Sequence, residues 1–365
     1  MALSTETVNI GMIGCGGIAM GKHLPSLKKI AAVRLTAFFD IDEPRAQSAA
    51  EQFGVEGAKV YASYQELLAD PNIDAVHILT PNSTHAEITV SALEAGKHVM
   101  CEKPMAKTSE EARLMVEAAK RTGKKLTIGY QNRFRPDSQH LHALCERGDL
   151  GEIYFAKGLA IRRRAVPTWG VFLDEEKQGG GPLIDIGTHA LDLTLWMMNN
   201  YKPKVVLGSA YHKLGSQPNS ANAWGPWDPD KFTVEDSAFG FIVMENGATI
   251  VLESSWALNT LQVGEAKTLL CGTKAGADML DGLRINGEEF GKLYAKQVQL
   301  GGDGVDFYDG SRELSAADLE ATQWIECLLK DTNPVVKPEE ALVVTEILEA
   351  IYESSKTGQA IYLGK

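Results

Sequence analysis

The stretch VNIGMIGCGGIA, residues 8–19, is a short apolar run followed at once by glycines, and it reads as a buried strand that ends in a tight turn. The residues that follow, AMGKHLPSLKKI (19–30), carry a helix. Gly14 opens the turn, and Gly16 lets backbone approach a pyrophosphate. Ala19 occupies the third position, where only a small side chain lets the helix pack on the strand. The start of such a helix offers unpaired N–H groups and a partial positive charge to phosphates. Gly17 and Ile18 lie in the same turn and join the candidate contacts.

Outward from this turn, strands and helices alternate. VRLTAFFD (33–40), VYAS (60–63), DAVHILTP (74–81), HVMCEKP (98–104) and KLTIGYQ (125–131) read as strands with helical stretches between them. That rhythm implies βαβ units and a parallel sheet covered on both faces, a Rossmann-type dinucleotide-binding domain over residues 1–131. The second strand ends in Asp40, about twenty residues past the turn, where a carboxylate accepts hydrogen bonds from ribose hydroxyls and repels a 2′-phosphate. NAD is therefore favoured, while nearby Arg45 keeps NADP possible. Thr80, Pro81 and Asn82 end another strand at the carboxyl edge, where α/β sheets bind ligands. Asn82 also suits the N-cap of the helix beginning near His85.

Glu102, Lys103 and Pro104 fall at that same edge, one strand further along. Taken alone, a Glu-Lys pair at a strand end reads as a solvated edge. An ammonium at the nicotinamide end of a cofactor can also hold a substrate oxygen and stabilise developing alkoxide charge. Pro104 restrains the backbone and favours an extended Lys103.

From residue 132 the pattern changes. A helix (137–148) leads into the strand pattern GEIYFAKGLAIRRRAV (151–166), then the loop KQGGGP (177–182) and the helix LIDIGTHALDLTLWMM (183–198). Four further strand patterns with short links such as ENG suggest an open, mostly antiparallel sheet, making residues 132–365 an α+β substrate-binding and oligomerisation domain. GSQPNSANAWGPWDPDKF (215–232) reads as a surface insertion. Two helices, 316–331 and 338–358, close the chain. Asp185 and His189, four apart, share a helix face that Asp192 and Trp196 continue, beside an apolar stripe of Ile186, Ala190, Leu193 and Met197. An imidazole suits general acid–base work on a carbinol, and an aspartate one turn away can orient it. A capping or internal hydrogen bond is the plainer reading of that pair. Gln131 or Asn132 is a candidate for the cofactor amide, Arg133 for the substrate, and Trp169 for the apolar floor of a sugar ring or else a packed loop anchor. In the basic run Arg162–Arg163–Arg164, alternation puts the outer two on one strand face. Edge or interface charges are its simpler reading, and an anion grip is the other.

Composition excludes several classes. The chain has 365 residues, 44% hydrophobic and 23% charged, with a net charge of −12. Two domains are expected at that length, and the negative charge argues against nucleic acid or anionic membrane as partner. The opening residues lack a basic region followed by an apolar core, and no run of about eighteen apolar residues occurs, so a soluble cytoplasmic protein is expected. Five scattered cysteines without a CxxC pair support neither a disulfide framework nor a zinc site, and no metal is expected.

The glycine turn, TPN..H (80–85), GKHVMCEKP (96–104) and GYQNRF (129–134) resemble the family of glucose–fructose oxidoreductase, inositol dehydrogenase and MocA-type oxidoreductases. The likeness covers nearly the whole chain and is strongest over 8–135 and 179–197. It implies that Lys103 is catalytic and touches both nicotinamide and substrate, and that Asp185 and His189 form the family's D-x-x-x-H pair. It also places His85 and Glu102 among the cofactor-binding residues. The substrate implied is a sugar, polyol or cyclitol bound between the domains, and the assembly a homodimer or homotetramer built through the second sheet. Three other readings stand beside this one: a glycosidase using tightly held NAD in an oxidation–elimination–reduction cycle, a biliverdin-reductase-like activity, and a non-catalytic NAD-binding regulator.

Overall fold

The computed structural model describes residues 7–218, 220–300 and 314–364, arranged in two compact units. The residues before Thr7, where the expectation about a leader begins, lie outside that range. In the first unit β1 (Val8–Ile13) leads through a π-helical turn (Ala19–His23) into α1 (Leu24–Lys28). Next come β2 (Val33–Phe39), α2 (Glu43–Phe53), β3 (Lys59–Val60), α3 (Tyr64–Ala69), β4 (Ala75–Ile78) and α4 (His85–Glu94). β5 (His98–Cys101), α5 (Ser109–Thr122) and β6 (Leu126–Ile128) complete the alternation.

The six strands form a parallel sheet in the order β3-β2-β1-β4-β5-β6, so chain order reverses between β1 and β4, where such sheets bind ligands. Register aligns the strand ends: Ile13 pairs with Phe39 and Ile78, Ile78 with Cys101, and Cys101 with Ile128. Gly14, Asp40, Glu102 and Gly129 each follow one of these aligned residues. The strands expected over 74–81, 98–104 and 125–131 are thus shorter. After Cys101 the Glu102 amide makes one last bond to Ile78 O, and the chain turns through a cis Lys103–Pro104 peptide.

In the second unit α6 (Pro136–Arg147) precedes β7 (Ile153–Ile161), α7 (Glu175–Gln178) and a π-helical turn (Leu183–Gly187) that runs into α8 (Thr188–Met198). Strands β8 (Pro203–Tyr211), β9 (Ser237–Met244), β10 (Thr249–Ser255), β11 (Gly264–Gly272), β12 (Ala275–Asp278), β13 (Arg284–Glu289) and β14 (Lys292–Gln297) follow. Helices α9 (Ala316–Lys330) and α10 (Pro338–Thr357) and strand β15 (Ile361–Tyr362) end the described chain. The sheet order is β14-β13-β12-β11-β7-β10-β9-β8-β15, antiparallel except where β7 meets β10. α8, apolar nearly all round and buried from Thr188 to Met197, lies on β7 and β11.

The chain passes between units at Gln131/Asn132. The second unit is not the uninterrupted 132–365 segment expected, because residues 314–342 belong to the first unit. There Ala321, Trp324, Ile325 and Leu328 of α9 enter the same buried cluster as Ile10, Met12, Leu24 and Phe38. An apolar helical stripe says that a helix is covered, not by what.

One further expectation is corrected. β7 stops at Ile161, so strand alternation does not govern the arginine run. Arg162 makes a two-pronged pair with Glu265 and lies over the Trp224 ring, while Arg164 donates to Asn259. The 215–232 insertion is anchored at described residues: Trp227 is buried with its Nε1 donating to Gly215 O, and the Asn222 side chain bonds both backbone groups of Val166. All five cysteines are free, and burial raises each thiol above its ordinary pKa. Among the described residues no helix is long and apolar enough to cross a membrane.

Candidate active site

The nucleotide side begins at the glycine turn. Gly14 has φ +94°, and a Cβ there would lie 2.7 Å from Leu79 O, so only glycine fits. Around the Cβ positions of Gly16 and Gly17 there is open space to 4 Å, and Ile18 beside them is partly exposed. The first turn that follows carries no acidic residue. Open glycines next to an uncharged helix start fit a pyrophosphate. Asp40 buttresses the turn, accepting from the Cys15 amide at 2.8 Å through one oxygen and from the Asp42 amide at 2.9 Å through the other. Arg45 pairs with Asp42 at 3.0 Å and lines a cavity of about 250 Å³ with Cys15, Met20 and Pro44. Pro81 leads into a 3-10 turn (Asn82–Thr84), and Thr84 donates to the Thr80 hydroxyl at 2.7 Å.

Two residues expected at the cofactor have protein partners. Both ring nitrogens of the buried His85 face backbone oxygens, Pro104 O at 2.8 Å and Thr80 O at 2.9 Å, so the imidazole ties the TPN loop to the EKP turn. Glu102 points inward. Its Oε1 accepts from Lys22 Nζ and approaches His23 Nε2, both at 2.8 Å, and its Oε2 accepts from the Lys103 amide at 3.0 Å. Lys22 also reaches Glu320 at 2.9 Å and Gln131 Oε1 at 3.4 Å. His77 approaches His23, Nδ1 to Nδ1, at 3.2 Å.

Behind Lys103 there is therefore a buried cluster with one ammonium and two carboxylates. Lys22 and His23 hold the Glu102 carboxyl well below its ordinary range against the cost of burial. Burial pushes Glu320 up to about 7. Burial lowers the pKa of His23 and of His77, with the neighbouring Lys22 charge acting in the same direction. Sequence reading missed Lys22, His23, His77 and Glu320. The one available signal was Glu320 itself, a carboxylate on the stripe otherwise formed by Trp324 and Leu328.

In the second unit the Asp185–His189 helix is not uniform. It opens as a π turn over 183–187, a widened geometry that recurs at functional sites. Both side chains are buried at 6% exposure. Asp185 Oδ2 accepts from the indole of the fully buried Trp256 at 3.0 Å, a partner contributed from just past β10 that the sequence did not point to. The glycine loop before it is pinned by Glu235, whose carboxylate accepts from the amides of Gly181 and Leu183 and from the Tyr352 hydroxyl. A side chain at Gly181 would collide with the Glu235 backbone, which explains the glycine.

Arg133, expected at the substrate, is wholly buried. It forms a two-pronged pair with Asp192 at 2.6 and 3.0 Å and lies 5.4 Å from the Trp196 ring centroid, so it joins the start of the second unit to α8. Trp196 stacks on His142. Trp169 is half exposed and packs edge-on against Trp224 and Phe172.

Comparison with known proteins agrees with this geometry. Residues 8–130 match the family described as "Oxidoreductase family, NAD-binding Rossmann fold", and residues 138–278 match the "GFO/IDH/MocA C-terminal domain". The chain is 35% identical over 362 residues, 99% of both chains, to the D-glucoside 3-dehydrogenase of Escherichia coli K12. The chain belongs to the GFO/IDH/MocA oxidoreductase family. This family member is also 31% identical over 205 residues, 55% of its own length and 56% of the relative's, to an inositol 2-dehydrogenase of Salmonella paratyphi B. A levoglucosan dehydrogenase solved with NADH and levoglucosan shares the fold at TM-score 0.82 and 22% identity, over 98% of this chain and all of that one. The GFO/IDH/MocA member described here is accordingly a dehydrogenase, and its first unit is an NAD-binding Rossmann domain.

Proposed function

We propose that this dehydrogenase oxidises a ring hydroxyl of a sugar or glycoside, with NAD preferred over NADP. The observation that carries the reading is the pairing on one buried helix of His189 with Asp185, the latter oriented by Trp256. His189 takes the hydroxyl proton, Asp185 aligns the hydroxyl or the imidazole, and the Lys103 ammonium steadies the oxygen as negative charge grows on it. The glycine turn (Gly14, Gly16, Gly17), Asp40 and the TPN loop hold the dinucleotide, and when bound it supplies the hydride acceptor. Asp40 favours NAD because its charge repels a 2′-phosphate. The relatives named as glucoside and inositol dehydrogenases support a polyhydroxylated substrate. An exposed stripe on the second sheet, with Leu207 paired to Phe241 across β8 and β9, supports assembly of copies through that face.

The test is a panel of glycosides, free sugars and cyclitols with NAD and NADP, followed by reduced-nicotinamide absorbance. Lys103→Ala should lower kcat by about 10²–10³-fold while NAD affinity stays within a few fold. Wild-type turnover in that variant would remove the lysine from the chemistry.

A further inference from the structure

Within the second unit lies a cavity of about 620 Å³ that the proposed chemistry leaves unused. Its size falls within the range of about 300–1,000 Å³ typical of small-molecule sites. One wall is the segment 168–177, which leads into the glycine loop. The other is the second half of the 215–232 insertion and the residues after it. The two are cross-braced, with Thr168 donating to Trp224 O at 2.9 Å, the Thr233 amide to Leu173 O at 3.0 Å, and the Glu175 amide to the Thr233 hydroxyl at 2.9 Å. Trp227 is tied to Gly215 O at 2.8 Å.

The lining specifies a ligand class. Trp169 keeps 52% of its surface exposed although two aromatic neighbours fix its ring, with centroids 5.0 Å away at Trp224 and 5.9 Å at Phe172. A fixed, open indole gives apolar area at little entropic cost, suited to the C–H face of a pyranose. Around it stand two ion pairs, Lys177–Asp174 at 2.9 Å and Lys231–Asp228 at 3.3 Å. Two cations balanced by two anions attract no net charge, which disfavours a phosphate or a carboxylate ligand. They do offer alternating donors and acceptors, the pattern that vicinal hydroxyls need.

Chain neighbours of the lining residues also pack toward the Asp185–His189 pair. Phe172 and Phe232 each pack edge-on against Trp256, with centroids 6.4 Å apart, and Trp256 is the indole that holds Asp185.

We propose that the cavity is a subsite for the second, neutral sugar ring of a glycoside, so that the preferred substrate is a disaccharide rather than a free monosaccharide. The subsite rests on the proposed oxidation of a sugar hydroxyl, and it sets which sugar derivative is taken.

The test uses the NAD-loaded full chain. Its substrates are methyl glucoside, a glucose disaccharide and an aryl glucoside, and it compares wild type with the double variant Asp228→Ala/Lys231→Ala. The wild type should show a kcat/KM for the disaccharide about tenfold above that for methyl glucoside. The double variant should lose that margin through KM while methyl glucoside oxidation stays within about twofold. Equal wild-type values, or an equal loss on both substrates, would overturn the subsite. A preference for the aryl glucoside with the same sensitivity would overturn its assignment to a sugar ring. Quenching of tryptophan fluorescence by the disaccharide reads binding without turnover, and Trp169→Leu should abolish it. If no sugar is oxidised, the proposed function fails. Saturable quenching would still uphold the subsite, and its absence would sink it.

Discussion

Replacing Glu320 with Gln should flatten the pH dependence of stability between about pH 4.5 and 8. Glu320 is 4% exposed and shares the single Lys22 ammonium with Glu102, which also accepts the Lys103 amide and faces His23. One cation cannot fully compensate two buried carboxylates, so Glu320 keeps its proton up to about pH 7 against an ordinary 4.5. A folded-state pKa raised in this way means that the native protein binds the proton more tightly than the unfolded chain does. The resulting stability is complete below pH 4.5 and is lost as pH rises through 7. At 1.36 kcal/mol per pKa unit, that shift corresponds to about 3 kcal/mol. Burial lowers the pKa of His23 and His77 in the same cluster, but both proteins carry these histidines, so the comparison between them isolates Glu320. At about 2–4 °C per kcal/mol, the wild-type melting temperature should fall by roughly 6–12 °C more than that of Glu320→Gln between pH 4.5 and 8. Thermal unfolding of both proteins in matched buffers measures the difference. Parallel profiles would refute the claim that Glu320 holds a proton in the folded state.

Other consequences are equally direct. Arg133→Met strands Asp192 as a buried unpaired charge and should cost about 3–5 kcal/mol, read as a fall in melting temperature. Asp192→Asn combined with Arg133→Met should recover much of that loss, which a substrate role for Arg133 would not produce. Asp40→Asn keeps an acceptor for the Cys15 amide while removing the charge, so kcat/KM with NADP should rise relative to NAD by about tenfold. An unchanged ratio would discount the carboxylate as the discriminator.

The first sheet was legible because its evidence is local. Apolar runs of strand length, a glycine turn and small residues at fixed offsets each express the sterics of neighbouring residues. The register that aligns Ile13, Phe39, Ile78, Cys101 and Ile128 then turns strand ends into one ligand-facing edge. The Asp185–His189 pair was legible for the same reason, as a local spacing on one helix. The π turn beneath it was not, because the widening reflects what packs around it: Gly187 lies against Ser254, whose hydroxyl donates to Pro182 O.

Partners distant in the chain belonged to the tertiary structure alone. The polar GYQNRF segment after a strand made Arg133 a substrate candidate, and the family resemblance put Glu102 and His85 among the cofactor contacts. In the folded chain each has protein partners that the motifs did not point to: Asp192 for Arg133, Lys22 and His23 for Glu102, the Thr80 and Pro104 carbonyls for His85. The return of α9 to the first unit is the largest case, tying Lys29 to Asp318 across 289 positions and bringing Glu320 to Lys22. The sequence by itself determined which elements form and which edge receives the dinucleotide, because those follow from short-range sterics and periodicity. Only the tertiary structure decided which charges are neutralised in the interior, because burying an ion without a partner is so costly that packing selects its partner wherever in the chain it lies.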